Sequence, residues 1–387
     1  MIKETNITEL SIGTYITDIA KQNGHHTLSN PGYVKSTAVI EHLIHKGVET
    51  VLVDTSKKML KKTGKKPSKK QSFYKEEITQ AKKLFDQSKE IQRAVFAAAG
   101  SGRHLDMEPV KKITEKSTEA IFKNPDALAC VINIRKKDEY LLEHSVSVSI
   151  LVTIFAKYLN IDRDIIKELA IGAYLHDVGK INVPDAILNK PGKLTHSEFE
   201  VMKSHVKHSI NIIERTTGIN ELSLEVAAQH HEKLDGQGYP FRLKGKGISQ
   251  YGRMITICDI FDALTANRCY KDGFSHVKAF GILRKLAELK QLDNTLVDSF
   301  IKCMGVFPVG SLVRLSSNKL AIVKARNPAD PIRPKVKSFY SVSDAIFVVA
   351  EEIDLSASDE NQIMKGVRAD DFDLDIDEIF EFLLKEG

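Results

Sequence analysis

The stretch of this chain that decides its fold runs from residue 176 to residue 180 and reads HDVGK. It is matched downstream by residues 230–240, which read HHEKLDGQGYP. Imidazole nitrogens and carboxylate oxygens are suitable ligands for first-row divalent metals. Adjacent residues on a helix point in directions that differ by about 100°, so such pairs can serve neighbouring metal positions. The two stretches together predict a metal site carried by helices.

Helical periodicity places the first candidate ligands at the core-facing edges of two predicted helices. His144 continues the apolar stripe of its helix, where a structural core histidine is the alternative interpretation. His176 ends the stripe of the next helix, and Gly179 follows at a position expected for a C-terminal cap. A carboxylate buried at Asp177 would need a metal or another cation, because burying an unpaired charge is costly.

The third predicted helix opens at Thr195–Glu198, which has the spacing of a capping box. Its predicted apolar face includes Phe199, Met202 and Val206 and runs beside His205. This places His205 at the edge of the core.

Two more helices contribute candidates of the same kind. One ends in the consecutive imidazoles of His230 and His231, and the other carries Asp259 and Asp262 one turn apart among apolar residues. Buried carboxylates need partners. If five helices converge on a metal site, the metal provides a partner for all of these candidates at once. The pattern therefore indicates a metal-dependent phosphohydrolase. The candidate ligands are His144, His176, Asp177, His205, His230, His231 and Asp259.

Composition narrows the class of protein. The net charge of +5 is concentrated in the Lys-rich stretch 57–75, whereas residues 370–386 are acidic. Gly64 and Pro67 interrupt the Lys-rich stretch, so a solvated linker is favoured over an arm that binds a nucleic acid polymer. The four cysteines lack the spacing of a disulfide framework, and no apolar run approaches the roughly 18 residues of a membrane span. We therefore expect a cytoplasmic protein without a membrane span.

The predicted organisation is mainly α, with a β-containing segment at each end. Residues 1–54 form a small N-terminal domain, residues 55–75 a basic linker, residues 76–300 the helical catalytic unit and residues 301–387 a C-terminal β appendage with an acidic tail. The apolar stripe of the helix predicted over Glu76–Ala99 is expected to pack within its own chain, with pairing to a second subunit in a homodimer as the alternative.

The chain resembles HD-GYP proteins, which are cyclic dinucleotide phosphodiesterases within the HD metal-dependent phosphohydrolase superfamily. The resemblance covers about residues 125–280 and rests on EHS at 143–145, HDVGK at 176–180, ILNKPGKL at 187–194, His205, the run 230–240 and DIFDALT at 259–265. It implies an HD-type helical bundle. Residues 1–54 are similar to DUF3391, an uncharacterised domain that often precedes HD-GYP units.

The resemblance implies roles for individual positions. All seven candidate ligands match metal ligands of the family, and Asp177 would bridge two metals. Lys180 matches a lysine near the scissile phosphate, Arg268 and Lys271 match cations that contact the phosphates, and Tyr239 matches the loop that shapes the substrate pocket. Family members that bind a third metal carry a glutamate where this chain has Tyr140, so two divalent ions are expected. Iron or manganese is favoured, with nickel or zinc as alternatives.

The expected reaction is hydrolysis of cyclic di-GMP to linear pGpG by a hydroxide that bridges the two metals, and whether hydrolysis continues to GMP is left open. Three alternatives stay open: a phosphodiesterase for 3',3'-cyclic GMP-AMP, a catalytically silent receptor for a cyclic dinucleotide, and a scaffold that binds a diguanylate cyclase.

Overall fold

The structure is a computed structural model, and it describes residues 2–11, 13–23, 31–34, 37–55, 69–133, 140–266, 273–327, 329–358 and 360–385. The chain divides into two compact units. One comprises Met1–Lys70 with Ser341–Val349, and the other comprises Gln71–Tyr340 with Ala350–Gly387. Residues 56–68, the greater part of the predicted Lys-rich linker, lie outside the described residues.

The N-terminal segment forms an antiparallel sheet with one described helix. Its elements are β1 (Ile2–Asn6), β2 (Tyr15–Gln22), β3 (Gly32–Tyr33), α1 (Thr37–His45) and β4 (Val48–Asp54). The strand order is β1-β4-β2-β3, and β4 pairs antiparallel with β1 and β2. Val51 and Val53 of β4 are buried on the same face, because successive side chains of a strand point to opposite sides. The predicted β character of this segment is confirmed.

Helices dominate the chain from Lys69 to Met304. In order they are α2 (Lys69–Gly100), α3 (Met107–Lys123), α4 (Pro125–Asn133), α5 (Tyr140–Tyr158), α6 (Arg163–Leu175), α7 (Asp185–Leu188), α8 (His196–Glu214), α9 (Glu221–Gln229), α10 (Gln250–Thr265), α11 (His276–Glu288) and α12 (Asn294–Met304). Helices α5 and α10 pack against each other, α9 packs against α6, α8 and α10, and α6 packs against α5. These five helices form the bundle that carries the candidate site, and the expected mainly α fold is confirmed.

Helix α5 is apolar along most of its length. Its window Leu141–Tyr158 is long and apolar enough to cross a membrane by length and composition alone. The expectation that no stretch approaches that length is therefore wrong. However, 78% of the window is buried inside the protein, because α5 packs against α6 and α10. We interpret α5 as a core helix.

The C-terminal segment is a second sheet followed by a helix. Its elements are β5 (Leu312–Leu315), β6 (Lys319–Ala325), β7 (Lys335–Ser341), β8 (Ile346–Asp354), β9 (Ile363–Val367) and α13 (Ile376–Lys385). The strand order is β8-β7-β6-β5-β9. Leu312 in β5 is paired with Ile322 on one side and Val367 on the other. This confirms the predicted β character of the segment.

Candidate metal centre

The buried carboxylate of Asp177 lies among four imidazoles. Its Oδ1 atom lies 3.3 Å from Nε2 of His205 and 3.8 Å from Nε2 of His230. Its Oδ2 atom lies 3.4 Å from Nε2 of His176 and 3.5 Å from Nε2 of His144. Each carboxylate oxygen thus faces a different pair of imidazoles.

A second carboxylate closes the other side of the cluster. Asp259 Oδ1 lies 2.9 Å from Nε2 of His144 and 3.9 Å from Nε2 of His176, and Asp259 Oδ2 lies 3.4 Å from Nδ1 of His231. The structure thus brings all seven predicted ligands together. Three sets have ligand atoms within 4.8 Å of one another: His205, His230 and His231; His144, His176 and Asp259; and His176, Asp177 and His230.

The backbone fixes the orientation of three of these imidazoles. The Nδ1 atoms of His176, His205 and His230 each donate a hydrogen bond, 2.6 Å long, to the carbonyl oxygen three residues earlier in the chain. Each Nε2 atom is therefore the unprotonated nitrogen in the neutral ring, and it points toward Asp177. A partner that fixes the tautomer in this way is typical of histidines that bind metals.

His144 is oriented by a carboxylate instead. Its Nδ1 atom donates to Oδ2 of Asp262 at 2.8 Å. Burial would lower the pKa of His144, but hydrogen bonds to Asp259 and Asp262 outweigh this effect and raise the pKa to about 9. Asp262 is thus hydrogen-bonded to a candidate ligand. This confirms the expectation that a carboxylate buried at this position needs a partner.

The donor set fits divalent metal ions. Nε2 of His176 and Oδ1 of Asp177 are buried and have no hydrogen-bond partner among the described residues, so each keeps a lone pair for a cation. Burial lowers the pKa of His205 to about 4, so that this ring is neutral at physiological pH. Burial opposes ionisation of Asp177, but the positive charge of Lys180 holds its pKa well below the ordinary value. A neutral imidazole beside an ionised carboxylate is a metal-binding arrangement.

Gly179 allows the HDVGK segment to approach α8. A Cβ atom at this position would lie 2.1 Å from the carbonyl oxygen of His205 and 2.3 Å from the amide nitrogen of Ser209. The Gly179 N–H donates to the Ser209 hydroxyl at 2.9 Å, and that hydroxyl donates to the carbonyl of His176 at 2.7 Å. The prediction of a helix cap is wrong, since α6 ends at Leu175 and Gly179 lies inside a short 3₁₀ segment. Close approach of two backbones is the reason for glycine here.

Glu232 holds the loop that follows the two consecutive histidines. Its buried carboxylate accepts hydrogen bonds from the backbone N–H groups of Phe241 at 2.7 Å and Leu243 at 2.9 Å. The Tyr239 N–H donates to the carbonyl of His231, and the two rings are 4.7 Å apart between centroids. Tyr239 therefore lies beside the metal centre. No role was predicted for Glu232, although its position directly after two ligand histidines was a usable signal.

Three predicted phosphate-contacting residues remain: Lys180, Arg268 and Lys271. The ammonium of Lys180 forms an ion pair with Oδ2 of Asp177. Arg268 and Lys271 lie outside the described residues.

The predicted apolar face of α8 is only partly buried. Val206 is buried, whereas Phe199 is 45% exposed, so the assignment of Phe199 to the core face is wrong. Phe199 lies in the first turn of α8, where its ring contacts Tyr239 instead of the bundle.

Comparison with known proteins gives matches over most of the chain. The family model for the HD domain matches residues 130–296, and the model for DUF3391, a domain of unknown function, matches residues 2–110. A cyclic di-GMP phosphodiesterase of Pseudomonas aeruginosa is 30% identical over 385 residues, which cover 95% of this chain and 92% of that protein. The 3'3'-cGAMP-specific phosphodiesterase 2 of Vibrio cholerae is 49% identical over 102 residues, or 26% of this chain and 20% of that protein. Bd1817, an HDG"Y"P protein from Bdellovibrio bacteriovorus with a solved structure, is 17% identical with a TM-score of 0.49 and covers 78% of this chain and 98% of that one.

The helical bundle and its cluster of imidazoles and carboxylates define a member of the HD superfamily of metal-dependent phosphohydrolases. Within that class, this chain belongs to the HD-GYP family. The residues that give the family its name are His176, Asp177 and the run Gly238-Tyr239-Pro240.

Proposed function

We propose that this protein is a metal-dependent phosphodiesterase that hydrolyses cyclic di-GMP to linear pGpG. The relative from Pseudomonas aeruginosa supports the choice of substrate, because it is aligned over nearly the whole of both chains. The observation that carries the proposal is the position of Asp177, whose two carboxylate oxygens face different imidazoles inside the bundle.

The seven clustered residues would hold two divalent ions, with iron or manganese favoured. His176, Asp177 and His230 form one compact ligand set, and Asp259 with His144 extends it on the far side. When bound, the ions supply Lewis acidity toward a phosphate oxygen and a hydroxide derived from water. The protein contributes imidazoles whose orientation is fixed by hydrogen bonds and a buried carboxylate that keeps its charge.

Lys180 would stabilise the negative charge that develops on the phosphorus oxygens during attack. Its ammonium is only partly exposed and is tied to Asp177, so it lies next to the place where the phosphate would bind. Tyr239 would form one wall of the substrate pocket, because its ring lies against that of His231. Arg268 and Lys271 are proposed to contact the second phosphate, where a guanidinium offers two parallel hydrogen bonds.

A single preparation tests metal, activity and substrate. The protein is purified anaerobically and its metal content is measured. It is then incubated with cyclic di-GMP, cyclic di-AMP and 3',3'-cyclic GMP-AMP, and the products are separated by chromatography. We expect about two metal ions per chain and release of pGpG from cyclic di-GMP. A metal-loaded protein that leaves all three dinucleotides intact would contradict the proposal.

Substitution of Asp177 separates three classes of function. In Asp177→Asn, an enzyme loses turnover, a receptor loses metal and ligand, and a scaffold keeps its protein partner. Asp164→Asn is the matched control, because Asp164 is a highly exposed carboxylate on α6. We expect Asp164→Asn to retain metal and turnover, and Asp177→Asn to lose both.

A mixed cyclic GMP-AMP dinucleotide is the second candidate substrate. The match at 49% identity to a 3'3'-cGAMP-specific phosphodiesterase favours it, although this match covers only 26% of the chain. The ratio of kcat/KM for the two dinucleotides decides between them.

We also propose a cytoplasmic location, where a cyclic dinucleotide and a reducing environment are both available. Three free cysteines, Cys130, Cys258 and Cys303, are buried in the described part of the chain. A diguanylate cyclase as partner and a homodimer remain predictions that co-purification and measurement of the oligomeric state would check.

A further inference from the structure

An exposed aromatic residue lies next to the candidate active site. Phe199 is 45% exposed on the first turn of α8. Its ring forms a T-shaped pair with the Tyr239 ring, with centroids 6.3 Å apart and planes at 86°. Exposure of a large apolar ring costs free energy in water. A ring held in this way beside a polar site is suited to a ligand with an aromatic surface.

The same rings are continuous with the metal centre. Tyr239 lies 4.7 Å from the ring of His231 and 6.3 Å from the ring of His205, between centroids. The row therefore runs from metal ligands through Tyr239 to Phe199 at the surface. A phosphate bound at the metals would have an aromatic wall on one side.

A cation accompanies the two rings. Nζ of Lys203 lies 5.5 Å from the centroid of Phe199 and 5.8 Å from that of Tyr239. Lys203 also forms an ion pair with Glu200 at 2.6 Å, and Glu200 is more exposed than Lys203. The ammonium is thus held over the rings, where it can add a cation–π contact and donate hydrogen bonds.

We propose that Phe199, Tyr239 and Lys203 form a base-binding platform for one nucleobase of the cyclic dinucleotide whose phosphate occupies the metal centre. This inference rests on the function proposed above. Nucleobases stack on aromatic side chains because every base has a π-face, and such stacking tolerates different bases. The platform accordingly contributes affinity for dinucleotides in general, and Lys203 donates to acceptor atoms on the edge of the base. Phe199 is a binding residue, and it takes no part in the chemistry.

The probe is a hydrolysis-resistant phosphorothioate analogue of cyclic di-GMP in which one guanine is replaced by 2-aminopurine, whose fluorescence is quenched by stacking. It is titrated into metal-loaded wild-type protein and into Phe199→Ala, Phe199→Leu and Val201→Ala. The leucine variant keeps an apolar side chain without a π-face. Val201 is the matched control, because it is 38% exposed on the same helix and points roughly to the opposite side.

We expect Phe199→Ala to raise the Kd about tenfold and to remove most of the quenching. Phe199→Leu should lose the quenching as well, whereas Val201→Ala should behave as wild type. In turnover of cyclic di-GMP, Phe199→Ala should raise KM with little change in kcat. Circular dichroism checks that α8 remains folded in each variant.

The outcomes separate the two proposals. If wild-type protein binds the probe and Phe199→Ala binds it with equal affinity and equal quenching, the platform is wrong and the phosphodiesterase proposal stands. Retention of full quenching by Phe199→Leu would likewise overturn the stacking role. If metal-loaded wild-type protein binds and hydrolyses no cyclic dinucleotide, the function itself is wrong and the platform falls with it.

Discussion

Individual side chains outside the ligand set determine how the ligand side chains are oriented. Asp262 accepts a hydrogen bond from Nδ1 of His144, and this leaves Nε2 of His144 to face Asp177 and Asp259. A carboxylate behind an imidazole fixes its tautomer and raises its basicity, so its loss weakens metal binding although it touches no metal.

The variants Asp262→Asn and Asp262→Ala test this role. Asparagine keeps an acceptor but removes the charge, and alanine removes both. We expect metal affinity to fall by about 10- to 100-fold in Asp262→Ala and by less in Asp262→Asn. Competition with a chelator of known affinity measures the change. Equal affinity in wild type and Asp262→Ala would show that His144 does not depend on this carboxylate.

Two glycines in helical surroundings should respond in opposite directions to the same substitution. Gly179→Ala places a Cβ atom against the backbone of α8, whereas Gly281, exposed within α11, has nothing within 4 Å of its added Cβ. We expect Gly179→Ala to lower the thermal unfolding midpoint by roughly 5–10 °C through overpacking. Gly281→Ala should raise it by roughly 1–3 °C, because alanine has the higher helix propensity. A midpoint for Gly179→Ala within 1 °C of wild type would contradict the role given to Gly179.

At the scale of secondary-structure elements, some residues of the site could be predicted from the sequence and others could not. Residues that combine metal-binding chemistry with helical periodicity, such as His144 and Asp259, could be placed in advance, because both signals lie within one element. Phe199 could not, because periodicity records which residues share a helix face but does not tell where the neighbouring helix ends. The role of Gly179 depends on the approach of α8, which is remote in sequence. The hydrogen bonds that Glu232 accepts from a later part of its own loop could not be predicted from the sequence either.

The loop that carries Tyr239 depends on one buried acceptor. In Glu232→Ala the N–H groups of Phe241 and Leu243 lose their partner, and we expect the loop to lose its fixed position beside His231. The expected result is a Kd for cyclic di-GMP raised at least about tenfold, since each lost hydrogen bond to a charged group is worth roughly 1.5–3 kcal/mol. Metal content should remain that of wild type.

Glu214→Gln is the control for this substitution, because Glu214 is exposed at the end of α8. Calorimetric titration of metal-loaded protein with a hydrolysis-resistant dinucleotide gives the affinities. Loss of metal from Glu232→Ala would show that Glu232 supports the ligands rather than the loop.

The metal centre is assembled from ligands that lie far apart in the sequence of the whole molecule. His144 is on α5 and Asp259 is on α10, and the segment that follows α6 places Oδ2 of Asp177 3.5 Å from Nε2 of His144. Because the native bundle assembles these ligands and the unfolded chain does not, bound metal should stabilise the folded state. At a free metal concentration of 100 times the Kd, this stabilisation is about 2.7 kcal/mol.

Removal of the metal should therefore lower the unfolding midpoint by roughly 5–10 °C, since about 1 kcal/mol corresponds to 2–4 °C in a folded unit of this size. Circular dichroism at 222 nm is the appropriate measurement, because helices dominate that signal. Wild-type protein is compared with and without chelator, and then after metal is restored in excess of the chelator. Asp177→Asn should unfold at one midpoint under all three conditions, because it lacks the buried carboxylate at the centre of the ligand cluster. A wild-type midpoint that is the same with and without metal would contradict a metal centre shared by the five helices.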